Sequence, residues 1–182
     1  MTLEIEAKFK LKCSFEHILN KLSFLKPIYV DEYFENDTYF NHPCRDFKSS
    51  DEAIRLRTIC SSGGESYYLT YKGSRIPGLN VKKRIEYETR VENPVSMKNI
   101  LVNLGFTELI SFSKKRKHYV INKTHLYLDE LLGIGLFIEI EGLEDDIFRI
   151  IDFIKDCVER IDKTYLEICI ENSNCIYLNT CK

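Results

Sequence analysis

Glu4, Glu6 and Lys8 alternate with Ile5, Ala7 and Phe9, so a strand here carries two acids and a base on one face. The same spacing recurs down the chain. Arg55 and Arg57 form one set, and Tyr68, Thr70 and Lys72 another. Lys82, Arg84, Glu86, Glu88 and Arg90 follow, then Lys114, Arg116 and His118, then Asp129, and finally Glu139 and Glu141. Each set alone is ordinary for a strand with one face in water. Together they suggest charged faces that converge. Two carboxylates ~5 Å apart repel by about 3 kcal/mol at an effective dielectric near 20. A converging group of Glu4, Glu6, Glu139 and Glu141, with Asp129, must therefore take up protons or be neutralised by cations. All-oxygen donors suit Mg²⁺ or Mn²⁺ better than Zn²⁺. The remaining inward charges, Lys8, Arg55, Arg57, Lys72, Arg84, Lys114 and Arg116, are cationic. Guanidinium forks and ammonium groups bind phosphate oxygens. The pattern fits a polyanion that carries its own metal ions, a polyphosphate above all.

The elements that must position these residues are mostly strands. Alternation predicts strands over 3–11, 28–40, 52–60, 65–72, 81–92, 108–121, 124–131 and 135–142. Ser61-Ser62-Gly63-Gly64 predicts a hairpin turn between the third and fourth. Residues 41–51 and 73–80 read as loops. Helical spacing appears over 14–25, with Ser14 as N-cap. Asn93, Pro94 and Gly105 bracket a short second helix. Residues 144–160 predict a third, with acids in its first turn. The tail, 163–178, is ambiguous between strand and helix. Antiparallel-looking strands and few helices make the fold class α+β. Helices can cover the apolar faces only if the sheet closes into a barrel of about eight strands, helices outside and charges inside.

The 182 residues read as a single domain, 1–182. A formal charge of −2 argues against a generic nucleic-acid binder. The longest apolar candidate, Leu131 to Ile138, is too short for a membrane span and holds two glycines. The charged N-terminus lacks a secretory core, so a cytoplasmic location and seven free thiols are expected. No cysteine pair has C-x-x-C spacing, which argues against a structural zinc site.

Six motifs in order give the chain its resemblance. They are Glu4-Ile5-Glu6-Ala7-Lys8, Arg55-Leu56-Arg57, Thr70-Tyr71-Lys72-Gly73, Arg84-Ile85-Glu86-Tyr87-Glu88, Lys114-Lys115-Arg116, and Leu128-Asp129 with Gly135-Leu136-Phe137-Ile138-Glu139-Ile140-Glu141. The chain from Glu4 to about Glu167 resembles the CYTH family, the triphosphate tunnel metalloenzymes. Thr164-Tyr165-Leu166-Glu167-Ile168 resembles the close of its class IV adenylyl cyclase-like branch. The resemblance implies a tunnel of antiparallel strands. It implies Glu4, Glu6, Asp129, Glu139 and Glu141 as metal-side acids, with Glu86 and Glu88 as further tunnel acids. Lys8, Arg55, Arg57, Lys72, Arg84, Lys114 and Arg116 would hold the triphosphate. Lys8 and Tyr39 would be catalytic, Tyr39 by analogy with a thiamine triphosphatase tyrosine that pairs with the motif lysine. Tyr39 reads equally well as an ordinary strand aromatic.

Three functions remain open at this point. Cyclisation would turn ATP into cyclic AMP and pyrophosphate. Hydrolysis would cleave tripolyphosphate, thiamine triphosphate or a nucleoside triphosphate. A non-catalytic module would bind polyphosphate or nucleotide without turnover. The first two need Mg²⁺ or Mn²⁺ and the same residues. A homodimer is compatible with each.

Overall fold

The computed structural model describes residues 2–77, 81–178 and 181. Nine strands form one antiparallel sheet: β1 (Thr2–Leu11), β2 (Ile28–Asn41), β3 (Ala53–Ser61), β4 (Gly64–Lys72), β5 (Lys82–Val91), β6 (Thr107–Ile121), β7 (Thr124–Leu131), β8 (Gly135–Glu141) and β9 (Val158–Arg160). Their order is β5-β4-β3-β2-β6-β7-β8-β1-β9, and β5 also pairs with β1. Strands β1 to β8 therefore close into an eight-stranded barrel, with β9 appended. Four α-helices accompany it: α1 (Phe15–Leu22), α2 (Pro94–Asn103), α3 (Glu144–Ile154) and α4 (Tyr165–Glu171).

Local signals set the helix ends. The Ser14 hydroxyl accepts from the His17 amide at 3.2 Å. Asn93 Oδ1 accepts from the Ser96 amide at 2.9 Å, with Pro94 as first helical residue. Gly105 then takes a φ of +92°, which a residue without Cβ adopts freely.

Alternation along each strand splits its side chains between an outer core and the lumen. Leu126, Leu128, Ile138 and Ile140 face outward and pack with Ile18 and Leu22 of α1 and Ile147, Ile150 and Ile154 of α3. Each fully buried Leu or Ile contributes roughly 1.5–3 kcal/mol. Phe40, Leu56 and Val91 pack with Leu101 of α2. The opposite parity buries Lys8, Arg55, Arg57, Arg84, Lys114, Arg116, Asp129 and Glu139. These are the charges that the alternation directs inward.

Three expectations are corrected. The helix expected over 144–160 stops at Ile154. The apolar spacing continues through Cys157 and Val158, but the Cys157 amide bonds back to the Ile154 carbonyl in a turn. β1 pairs with β5 only through Thr2–Glu6. Its other end is thus free on that side, and Val158–Arg160 pairs with Phe9–Leu11 as a ninth strand. The ambiguous tail resolves into α4 and an extended segment. Four of the seven cysteines are bonded, Cys60 with Cys181 and Cys169 with Cys175. Cys13, Cys44 and Cys157 are free. Folding brings these pairs to Cα separations of 5.4 and 5.6 Å, within bonding range; one pair is 121 residues apart in sequence.

Of the loop expected over 73–80, residues 78–80 lie outside the described residues. Among the described residues, no helix is long and apolar enough to cross a membrane.

A charged tunnel as candidate active site

Register decides which charges meet. Lys8 lies opposite Glu139 between β1 and β8, and their side chains pair at 2.8 Å. Arg116 lies opposite Asp129 between β6 and β7 and forks onto its carboxylate at 2.7 and 2.5 Å. Arg116 also contacts Glu139. Lys72 of β4 holds Glu4 of β1 at 2.9 Å and Glu86 of β5 at 2.8 Å. Arg57 lies opposite Asp37 between β3 and β2 and forks onto it at 2.6 and 2.7 Å.

A cavity of about 250 Å³ runs along these residues. All seven expected triphosphate-side cations line it, as do Glu4, Glu6, Glu139 and Glu141. Phe47, Leu109, Leu166 and Ile170 add an apolar wall. Asp129 is buried beneath Arg116 and is not part of the lining. Glu86 and Glu88 also stay outside it. Glu88 is exposed but accepts from the Thr70 hydroxyl at 2.7 Å.

Tyr39 lines the cavity and stacks on Phe112 with ring centroids 5.5 Å apart. Its strand partner is Arg55, while Lys72 is engaged by Glu4 and Glu86.

Two acids escaped sequence reasoning. Glu35 is buried and lies 2.7 Å from both Arg57 and Lys114. Asp37 takes the Arg57 fork. The stretch YVDEYFENDTYF carries polar groups on both parities, so alternation alone did not select 35 and 37. Their inclusion turns an apparently cation-rich lumen into a nearly balanced one. A polyanion entering it would need cations of its own.

The balance is uneven in space. Burial alone would raise the Glu139 carboxyl, but Lys8, Arg116 and Lys114 together hold it well below the usual range. Glu141 goes the other way. Burial, then the like charges of Glu4, Glu139 and Glu6, push it up to about 7. Among the described residues, Glu6 and Glu141 meet no Lys or Arg within 4.0 Å. They stand directly opposite each other between β1 and β8.

On the cationic side, Lys82 is pushed down to about 8 by burial and then by Lys8. Burial and then Arg116 also lower Lys114. Two guanidinium nitrogens, Arg55 Nε and Arg84 Nη2, are buried without a hydrogen-bond partner among the described residues. Buried donors of this kind normally have acceptors.

The donor chemistry fits a hard divalent cation. Glu6 and Glu141 are facing oxygen donors without a cation, and Glu4 adds charge beside them. In the present arrangement no three acidic, histidine or cysteine side chains among the described residues converge as a preformed cage. Glu4, Asp129 and Glu139 are instead turned onto Lys and Arg.

Comparison with known proteins agrees with the tunnel. A proposed adenylate cyclase of Methanocaldococcus jannaschii is 32% identical over 181 residues, covering 91% of this chain and 98% of that protein. The solved PH1819 protein of Pyrococcus horikoshii superposes with a TM-score of 0.74 at 31% identity, covering 91% of this chain and 98% of that one. A Hippeastrum protein, HpAC1, named as an adenylyl cyclase and described as having a dominant triphosphatase activity, shares the fold with a TM-score of 0.68. It is 19% identical, over 95% of this chain and 97% of that one. Residues 2–167 match the CYTH domain, and the chain belongs to the CYTH family, among relatives named as adenylate cyclases.

Proposed function

We propose that this protein is a divalent-metal-dependent enzyme acting on a triphosphate held in the barrel. The first reading is a class IV adenylyl cyclase-like reaction, ATP to cyclic AMP and pyrophosphate. The observation that carries the triphosphate is a pair of buried donors, Arg55 Nε and Arg84 Nη2, without a hydrogen-bond partner among the described residues, the latter 3.9 Å from Asp51. They face one cavity with Lys8, Lys72, Lys114 and Arg116. A buried guanidinium N–H without an acceptor is costly, and phosphate oxygens would satisfy it.

Arg55 and Arg84 would grip the triphosphate, and Lys8, Lys72 and Lys114 would take up charge developing on the leaving group. Glu35, Asp37 and Asp129 would hold Arg57 and Arg116 in place. Mg²⁺ or Mn²⁺, held by Glu6 and Glu141 with Glu4, would supply an acidified nucleophile and charge neutralisation. Tyr39 would close one wall of the cavity next to Arg55.

A triphosphatase is the second reading, favoured by the activity described for the Hippeastrum protein of the same fold. Its substrate would be tripolyphosphate, thiamine triphosphate or a nucleotide. The two disulfides are in tension with the expected cytoplasmic location, since such bonds persist in oxidising compartments.

The test is phosphorus NMR with ATP, tripolyphosphate and thiamine triphosphate in turn, each with Mg²⁺ and then Mn²⁺. Pyrophosphate appearing with cyclic AMP supports cyclisation. Orthophosphate release supports hydrolysis. Shifted resonances without products would reduce the protein to a binding module.

A further inference from the structure

The C-terminal helix reaches into the tunnel through one side chain. Tyr165 is the first residue of α4 and is buried. A capping box places it: the Thr164 hydroxyl accepts from the Glu167 amide at 3.2 Å, and the Glu167 carboxylate accepts from the Thr164 amide at 2.6 Å. Phe137 meets its ring edge-on at 5.4 Å.

From that seat Tyr165 touches three parts of the site. Its hydroxyl donates to Asp129 Oδ2 at 2.8 Å, the oxygen that Arg116 Nη2 also reaches. Its ring centroid lies 3.7 Å from Lys8 Nζ and 4.8 Å from Lys114 Nζ.

These contacts differ in kind from the salt bridges around them. A carboxylate neutralises an ammonium and occupies one of its N–H groups. An aromatic face attracts the cation through its quadrupole and leaves the net charge in place. Among the described residues, Lys8 has one carboxylate within 4.0 Å, Glu139 at 2.8 Å. Lys114 also has one, Glu35 at 2.7 Å. Each ammonium has three donors, so N–H groups remain for an incoming anion.

We propose that Tyr165 is a positioning residue of the tunnel: its ring face orients Lys8 and Lys114, and its hydroxyl fixes the Asp129–Arg116 pair. The inference rests on the triphosphate reading above. Burial and the neighbouring Asp129 carboxylate keep the phenol protonated, so it acts as a donor. α4 is held by Arg75, which reaches Glu167 at 3.2 Å, and the Cys169–Cys175 bond ties it to the tail, where Ile176 bonds to the Ser113 amide and the Leu132 carbonyl. The C-terminal segment is thereby part of the site.

The test uses the full chain, Tyr165→Phe, Tyr165→Leu and two readouts. The first is the side-chain methylene resonances of Lys8 and Lys114, identified by their loss in Lys8→Met and Lys114→Met. A proton over an aromatic face is shifted upfield. Both lysines should show that shift in the wild type and in Tyr165→Phe, and lose it in Tyr165→Leu. The second is calorimetric binding of metal-free tripolyphosphate. Affinity should fall about threefold in Tyr165→Phe, which takes the phenol donor from Asp129, and about tenfold or more in Tyr165→Leu, which also frees the buried Lys8 and Lys114 from the ring.

Lysine resonances without the upfield shift in the wild type would overturn the proposal, and this needs no variant. So would a folded Tyr165→Leu with unchanged affinity, or a Tyr165→Phe that loses both signals. If the lysine shifts are present but the wild type takes up no tripolyphosphate, the triphosphate reading itself fails and the positioning role falls with it.

Discussion

Glu6 and Glu141 face each other across the β1–β8 ladder, and neither meets a Lys or Arg among the described residues. Every other inward acid near them is turned onto a base. This pair is the uncompensated spot in an otherwise balanced tunnel, and on the proposed reading it is where a divalent cation would be held.

Neutralising that pair should separate catalysis from binding. Glu6→Gln with Glu141→Gln should lower turnover by orders of magnitude. Binding of metal-free tripolyphosphate should persist or tighten, because two like charges leave the tunnel. Full turnover in the double variant would show that the metal is held elsewhere.

Glu141 also makes stability depend on pH. Its folded value of about 7 lies above its usual 4.5. Between those values the folded state keeps a proton that the unfolded state has released, so stability falls as pH rises through that window. The 2.5-unit difference corresponds to at most about 3 kcal/mol before solvent screening. Thermal unfolding in EDTA should show Glu141→Gln gaining stability over wild type at pH 8 and not at pH 4. Parallel curves at the two pH values would refute the assignment.

The arginines should sort into two kinds. Arg55 and Arg84 have spare buried donors. Their replacement by Ala should cost about 1–3 kcal/mol of tripolyphosphate affinity. Arg57 forks onto Asp37 and pairs with Glu35. Arg57→Ala leaves two buried carboxylates without their main partner and should lower folding stability by about 3–5 kcal/mol. Denaturant midpoints and calorimetry on the same three proteins make the comparison.

Asp129 is buried, with both oxygens engaged by Arg116 and Tyr165. Asp129→Ala leaves Arg116 with Glu139 and, at 3.9 Å, Glu35, and should be among the most destabilising of the tunnel substitutions, by about 3 kcal/mol or more. If Asp129 served mainly as a metal ligand, its removal would instead leave the metal-free protein as stable as wild type.

The thiol count is expected to be three. Unreduced protein unfolded in guanidinium should react with Ellman's reagent at Cys13, Cys44 and Cys157 only. Full reduction should raise the count to seven. A count of seven in protein protected from air would mean that the two pairs stay reduced, in line with a cytoplasmic home.

Period-2 alternation makes most of the barrel legible in the residues alone. Strand parity follows from local backbone geometry. Ile5, Ala7 and Phe9 could only face one way if Glu4, Glu6 and Lys8 faced the other, and the same held from Arg55 to Glu141. The turn at Ser62-Gly63 and the caps at Ser14 and Asn93 are local too, so they were visible. β9 was not. Val158–Arg160 becomes a strand only because β1 offers a free edge, a condition that the residues themselves do not carry.

The sequence by itself determined which residues share a face and which chemistry that face can do. Tertiary structure alone decided who meets whom across strands. Lys72 reaches Glu4 from 68 positions away, and Cys60 reaches Cys181 from 121. Glu35 and Asp37 become lumen acids because β2 runs between β3 and β6. Tyr165 becomes part of the site because a short helix docks over the tunnel. Parity is set residue by residue, whereas register and closure emerge only when all the strands pack together.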